Sequence, residues 1–384
     1  MKLLYVTSQS GRRINGFMRS AIIAAKQLDI DFTIASNMDK ADKELYIEDC
    51  EIYGIKAKHI DFDRNPLAMK NYTHAKKQLL DFMKQEKFDV VHCNTPIGGV
   101  IGRVCAKEAQ IPYVIYQAHG FHFWNGAPLK NWICYYSVER YLAHLTDMLI
   151  TINNEDYNRA KKFTLKNNGV VVKVPGVGVD LSKFDMSLRD LKEKQIIRMS
   201  LRKLWKIDIN ATIYISVGEL NKNKNHEVAI RALAKINNKD FYYVVCGEGN
   251  KKEYLIDLAE ELGVRDRVRF LGYQSNIAEI LLACDCFLFT SFREGLPGSL
   301  MEAMASGLPC IASKIRGCVD LLEESKYLFN PNNPSELSDM MISIIKKEES
   351  QREIEKNSKR VVAFNLDNAV ESLKKLYESV ERRV

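Results

Sequence analysis

Proline is scarce in this chain, 9 residues in 384, and no low-complexity tract interrupts it. Both facts argue against a disordered or linker-dominated protein. No stretch approaches the roughly 18–20 uncharged apolar residues that a membrane-spanning helix requires. The apolar run within residues 1–8 is too short for a signal peptide and reads as a first strand. The nine cysteines are scattered. Only Cys284 and Cys286 are close, and no CxxC pair or histidine stands at metal-ligand spacing. That pattern argues against zinc and predicts reduced structural thiols in a cytoplasmic protein.

What is present is the composition of a globular protein, 46% hydrophobic and 27% charged, long enough for two α/β domains. The net charge of +7 is uneven. Residues 1–185 hold 25 basic against 20 acidic residues, and the remainder holds 31 against 29. So modest an excess suits an anionic membrane surface, a phosphorylated acceptor or nucleic acid without choosing among them, and no nucleic-acid module is visible.

Strand-like and helix-like patterns alternate in both halves. The first half predicts strands at 3–7, 31–35, 57–60, 90–93, 113–117, 148–152 and 170–174. Helices fall between them at 16–28, 67–86, 98–109, 128–146 and 154–163. Pro175-Gly176-Val177-Gly178 breaks the series and leads to a charged stretch, 187–207. The cycle then restarts with strands at 212–217, 241–246, 268–271, 286–290 and 309–312. Each half reads as a doubly wound parallel sheet whose ligands bind beyond the C-terminal ends of its strands. The expected domains are 1–185 and 186–365.

The most informative stretch is Phe292-Arg293-Glu294-Gly295-Leu296-Pro297-Gly298-Ser299-Leu300-Met301-Glu302, closed by Gly307. An apolar strand ends at a loop carrying one carboxylate. A Gly-bearing turn follows, then a short helix with a second carboxylate in its expected first turn. Such a helix start offers free N–H groups to a diphosphate, and the two carboxylates would accept hydrogen bonds from hydroxyls on either side. Hydroxyls flanking a diphosphate describe a nucleotide sugar. The plainer alternative is that Ser299-x-x-Glu302 is a capping box, a role Glu302 could combine with the other.

Glu294-x7-Glu302, with its continuation to Ser313, resembles the signature of family 4 glycosyltransferases. The resemblance implies the GT-B fold, two Rossmann-like domains facing across a cleft, and transfer with retention of anomeric configuration. It implies that Glu294 binds sugar hydroxyls and Glu302 the ribose, and that the last helix, about 366–384, returns to the first domain. It extends over nearly the whole chain and is strongest over 212–313. After the strand at 212–217, Gly218-Glu219-Leu220-Asn221-Lys222-Asn223-Lys224 resembles the family's diphosphate loop. Lys224 falls on the lysine position, but Glu219 replaces the usual arginine, so Lys222 is a candidate to compensate. Gly247-Glu248-Gly249 resembles the turn beside the nucleotide, and Gly272-Tyr273 the segment whose backbone reads the base. The family's habits imply a uridine diphosphate sugar as co-substrate, with no resident cofactor and no metal.

In the first half, Arg12, Arg13 and Gly16 lie in a basic loop suited to approach a phosphate. Exposed loop charge is the equal alternative for the arginines. His119-Gly120 matches a family position that places imidazole near the reacting sugar. Residues 120–132 resemble a subgroup that builds bacterial capsule and exopolysaccharide, which implies a lipid-linked saccharide acceptor. The aromatic and basic stretch 122–141, with the helix bearing Lys70, Lys76, Lys77, Lys84 and Lys87 beside Leu79, Leu80, Phe82 and Met83, predicts peripheral attachment to an anionic membrane, on the cytosolic face. Core packing is the alternative. Asp61-Phe62-Asp63 has metal-site spacing but sits where a surface loop is expected. Two other functions share these features: a nucleotide-sugar epimerase, and a non-catalytic nucleotide-sugar or membrane-binding scaffold.

Overall fold

The computed structural model describes residues 1–14, 16–63, 69–185 and 189–384, and divides into two compact units. The first is Met1–Gly178 with Leu366–Val384, and the second is Val179–Asn365.

The first unit runs β1 (Lys2–Val6), α1 (Gly16–Gln27), β2 (Asp31–Ser36), α2 (Lys43–Tyr53), β3 (Lys56–His59) and α3 (Met69–Glu86). It continues through β4 (Val90–Asn94), α4 (Pro96–Glu108), β5 (Tyr113–Ala118), α5 (Leu129–Asn131), α6 (Ser137–Ala143), β6 (Met148–Thr151), α7 (Asn154–Ala160) and β7 (Val170–Lys173). Its seven strands are all parallel, in the order β3-β2-β1-β4-β5-β6-β7. Helices cover both faces, so the central strands are buried along their length and read as continuous apolar runs. The order reverses between β1 and β4, which places a ligand crevice beyond their C-terminal ends.

Several local expectations are corrected. The predicted start of α3 at Leu67 lies outside the described residues, as do the Lys70 side chain and Ser187. Helix α2 was not foreseen, because its sequence is polar and its inward face supplies only Tyr46 and Asp49. Its ends are nonetheless marked: the Asp42 side chain accepts from Leu45 N–H, and Gly54 closes it in the left-handed conformation. The single helix expected over 128–146 is broken by a π-turn at Trp132–Tyr136. The wider turn lets Trp132 and Tyr136 both pack on Phe123, at 5.7 and 5.3 Å between ring centres.

The second unit runs α8 (Leu181–Phe184), α9 (Leu191–Leu204), β8 (Thr212–Val217), α10 (His226–Ala234), β9 (Phe241–Cys246), α11 (Lys252–Glu261), β10 (Val268–Gly272) and α12 (Ile277–Leu282). Then come β11 (Cys286–Phe289), α13 (Gly298–Ala305), β12 (Cys310–Ser313), α14 (Arg316–Leu322), β13 (Leu328–Phe329), α15 (Pro334–Ile344) and α16 (Lys347–Val361). Six parallel strands follow the order β10-β9-β8-β11-β12-β13, reversing between β8 and β11. Alternate side chains build two cores: Ile213 and Ile215 enter one layer and Tyr214 the other.

The last helix, α17 (Leu366–Glu381), belongs to the first unit, where it packs on α1. Its Tyr377 hydroxyl lies 2.8 Å from His92 Nδ1 on β4. No helix among the described residues is long and apolar enough to cross a membrane.

Candidate active site

Both switch points carry predicted residues. In the second unit, the loop after β8 and the loop after β11 are laced together. Phe292 N–H donates to Asn223 O at 2.8 Å, and the Thr290 hydroxyl donates to Lys224 O at 2.7 Å. Across this seam Lys224 Nζ lies 2.8 Å from Glu294 Oε1, and Asn223 Nδ2 donates to the same oxygen at 3.3 Å and to Arg293 O at 2.9 Å. Arg316 Nε holds Glu294 O from behind at 3.0 Å. The structure thus brings together Lys224 and Glu294, and adds Asn223 and Arg316, which sequence reasoning did not single out. Neither residue type carries a signal of its own at that spacing.

Three residues after Gly295, α13 begins at Gly298 with Pro297 as its cap. Its cap makes no side-chain hydrogen bond, and among the described residues the N–H groups of Gly298, Ser299 and Leu300 are open to a ligand. The capping-box alternative is therefore overturned: Ser299 is inside the helix, not at its cap. Glu302 lies two positions further along the helix than expected, beyond its first turn. A Cβ built on Gly298 would meet no atom within 4 Å among the described residues, so the helix start has open space at that position. Leu300 is buried beneath it. Partial burial raises the Glu302 carboxyl above its usual range, and it has no ion-pair partner among the described residues.

Gly247 and Gly249 have φ of +150° and +158°. A side chain on either would run into the Gly218 or Leu220 carbonyl, so the glycines are needed to press this turn against the 218–224 loop. Gly247 N–H donates to Gly272 O at 2.8 Å, which ties the end of β10 to the same assembly, and Tyr273 stands exposed beside it. Lys222 is exposed and borders a cavity of about 440 Å³ with Asn225, Arg231 and Tyr254. Glu219 is exposed.

In the first unit, His119 Nε2 lies 2.9 Å from Asn94 Oδ1 at the end of β4, and its ring packs on Phe17 of α1 at 3.9 Å between centres. Asn94 Nδ2 donates to His92 O, so Oδ1 faces the imidazole and Nε2 carries the proton. That leaves Nδ1 as an acceptor. Burial pushes the His119 pKa down to about 3, so the ring is neutral at physiological pH. Next to Asn94, Thr95 has φ of +63°, a strained conformation for a β-branched residue.

Arg12 and Arg13 differ. Arg13 is engaged by Asp49 at 2.7 Å and Glu48 at 2.8 Å, which fastens the loop to α2. Arg12 is exposed, with Asp42 at 3.4 Å. Gly16 opens α1 with no atom near its Cβ position. Asp61 is held by His59 at 2.8 Å, Gln78 at 2.6 Å and His74 at 3.1 Å. The expectation for α3 is corrected: Leu79 and Met83 are core residues, and Leu80 and Phe82 pack against that core. Its apolar face is already occupied. Of the aromatic stretch, Phe123 is buried and Trp132 and Tyr136 pack inward, whereas Leu129, Ile133, Tyr135, Val138 and Tyr141 are exposed.

Comparison with known proteins agrees with this geometry. Residues 2–153 match the family model described as glycosyl transferase 4-like, and residues 199–361 match glycosyl transferases group 1. EpsD of Bacillus subtilis (strain 168), named as a glycosyltransferase, is 33% identical over 361 residues, covering 92% of this chain and 90% of that one. The UDP-Gal:alpha-D-GlcNAc-diphosphoundecaprenol alpha-1,3-galactosyltransferase of Escherichia coli is 30% identical over 310 residues, covering 78% and 77%. The crystal structure of Anabaena Alr3699/HepE in complex with UDP and glucose superposes with a TM-score of 0.78 at 20% identity, covering 99% of this chain and 100% of that one. With two doubly wound units, an uncapped helix mouth and relatives of this extent, the chain belongs to the family 4 glycosyltransferases of GT-B fold.

Proposed function

We propose that the protein transfers a sugar, with retention of configuration, from a uridine diphosphate sugar to a lipid-linked saccharide in cell-surface polysaccharide synthesis. The observation that carries this reading is the Lys224–Glu294 pair beside the open N-terminus of α13. The helix start and Lys224 receive the diphosphate, and Glu294, held by Lys224 and Asn223 through Oε1, keeps Oε2 for sugar hydroxyls. Glu302 takes the ribose. As the glycosidic bond to phosphate breaks, negative charge grows on the diphosphate, and donors fixed in place beforehand stabilise it without reorganising. The same contacts orient the reacting centre. His119 accepts a hydroxyl hydrogen bond through Nδ1, and Arg12 and Gly16 form the phosphate-facing loop of the first unit. Neutralisation by Lys224 and the helix dipole, with no bound metal, completes the donor site.

The donor and acceptor classes rest on the Escherichia coli relative, whose name specifies UDP-Gal and a diphosphoundecaprenol-linked sugar. Attachment to an anionic membrane is assigned to the exposed apolar face of residues 129–141, which carries Lys130 and Arg140 beside its aromatic side chains. A panel of nucleotide sugars, offered with polyprenyl-diphosphate saccharides, tests the assignment. Transfer from one donor, with the anomeric configuration kept in the product, is expected. Isomerised donor without an acceptor would instead establish an epimerase, and no turnover of any donor a scaffold.

A further inference from the structure

A second concave feature of the second unit lies along β10, the outermost strand of its sheet. A groove of about 710 Å³ runs there, floored by Leu201, Trp205, Phe270, Leu271 and Ile280, with Leu204 exposed at its rim. Four cations line it: Lys206, Lys252, Arg265 and Arg269. No carboxylate lines it, and none of the four has a carboxylate partner among the described residues. The guanidinium groups are spent on carbonyls instead: Arg269 donates to Trp205 O at 2.8 Å and Asp266 O at 2.6 Å, and Arg265 to Val268 O at 3.2 Å. Unbalanced like charges repel one another, at a cost that an acidic occupant would remove.

The edge strand is half closed already. Val268 O accepts from Arg265 and Arg269, and Leu271 O from Gln274 at 2.7 Å. Those carbonyls are unavailable to an added strand, so recognition falls to side chains. A second copy of this chain would bring the same four cations against themselves. A flat lipid surface fits a concave channel poorly. What fits is an extended chain that sets carboxylates against the rim and apolar side chains onto the floor.

We propose that this groove docks an acidic segment of a partner protein in which glutamate or aspartate alternates with apolar residues. The test uses the full-length protein and a labelled eight-residue peptide alternating glutamate with leucine, read by fluorescence anisotropy. Saturable binding is expected, weakened about tenfold between about 50 mM and about 300 mM salt by screening. It should be lost in the variant combining Lys206→Glu, Lys252→Glu and Arg265→Glu, whose positions are exposed and lie outside the donor site. That variant should keep donor turnover and the wild-type circular dichroism spectrum. A photoreactive version of the peptide should crosslink to α9 or β10 in the unaltered protein, a readout independent of the variant. No binding, binding unchanged by the three substitutions, or crosslinking elsewhere would overturn the proposal. So would equal binding of a lysine–leucine peptide. Loss of phosphatidylglycerol vesicle binding in the same variant, without peptide binding to the unaltered protein, would reassign the groove to a membrane.

Discussion

Lys224 Nζ and Glu294 Oε1, 2.8 Å apart, join the loop after β8 to the loop after β11 at the switch point of the second sheet. Each side chain is about one-fifth exposed, so water screens the pair incompletely. In the proposed reaction Lys224 also faces the diphosphate and Glu294 the sugar, so the two act as one unit. Lys224→Ala and Glu294→Ala should each lower kcat/KM for donor turnover by about 10²–10³, the range for losing one preorganised group. The double variant should lose little more than either single one. Steady-state kinetics on the four proteins checks this, and independent, multiplicative losses would mean that the pair is not a unit.

Asn223 is expected to act by position. Its amide fixes Glu294 through Oε1 and the preceding carbonyl. Asn223→Ala should lower kcat about tenfold, as expected for modest misplacement of a reacting group, and leave the midpoint of urea unfolding almost unchanged. An equal fall in stability would make Asn223 structural.

The Gly247–Gly249 turn sets a packing limit. Gly247→Ala would drive a methyl group into the Gly218 carbonyl, and overpacking of this kind costs about 1–3 kcal/mol. Chemical denaturation should show that loss. Gly298→Ala is the contrast, since open space surrounds its Cβ position; its unfolding midpoint should stay close to the wild-type value.

Three histidines should make the fold acid-sensitive. Burial depresses His92 and His119 to about 3 and His226 to about 4, each from 6.5. The unfolded chain therefore takes up protons that the folded chain refuses as pH falls below about 6.5. The stability contributed by the neutral rings is full above that pH and is lost progressively towards pH 3–4. Urea midpoints measured from pH 7.5 to 4.5 should fall, and His92→Gln should flatten the dependence. Activity should show no limb near pH 6.5 attributable to His119.

The alternation of strand and helix was legible because buried parallel strands such as Leu3–Val6 and Tyr243–Cys246 are continuous apolar runs bounded by polar turns. The loop leading into α13 was legible for a different reason: Gly, Pro and Glu at fixed offsets each meet a separate physical demand. Helix α2 was not, since one tyrosine and one aspartate facing inward leave no apolar period to find. The π-turn lets Trp132 and Tyr136 both pack on Phe123 of the preceding loop, and no helical period encodes that. Arg13 read as either phosphate-binding or exposed loop charge, because its partners, Asp49 and Glu48, are brought to it only by folding. Lys222 and Lys224 stand two residues apart in one loop, and yet Lys222 borders the cavity beside Arg231 and Tyr254 whereas Lys224 reaches Glu294, a separation set by backbone geometry.

The most direct measurement is the affinity of UDP and of uridine for the wild-type protein and for Lys224→Ala, by isothermal titration calorimetry. UDP should bind the variant about 10–100-fold more weakly, the effect of losing a charge-assisted contact of about 1.5–3 kcal/mol. Uridine, which lacks the diphosphate, should bind both proteins alike. UDP binding unchanged by the substitution would contradict a diphosphate site at the mouth of α13.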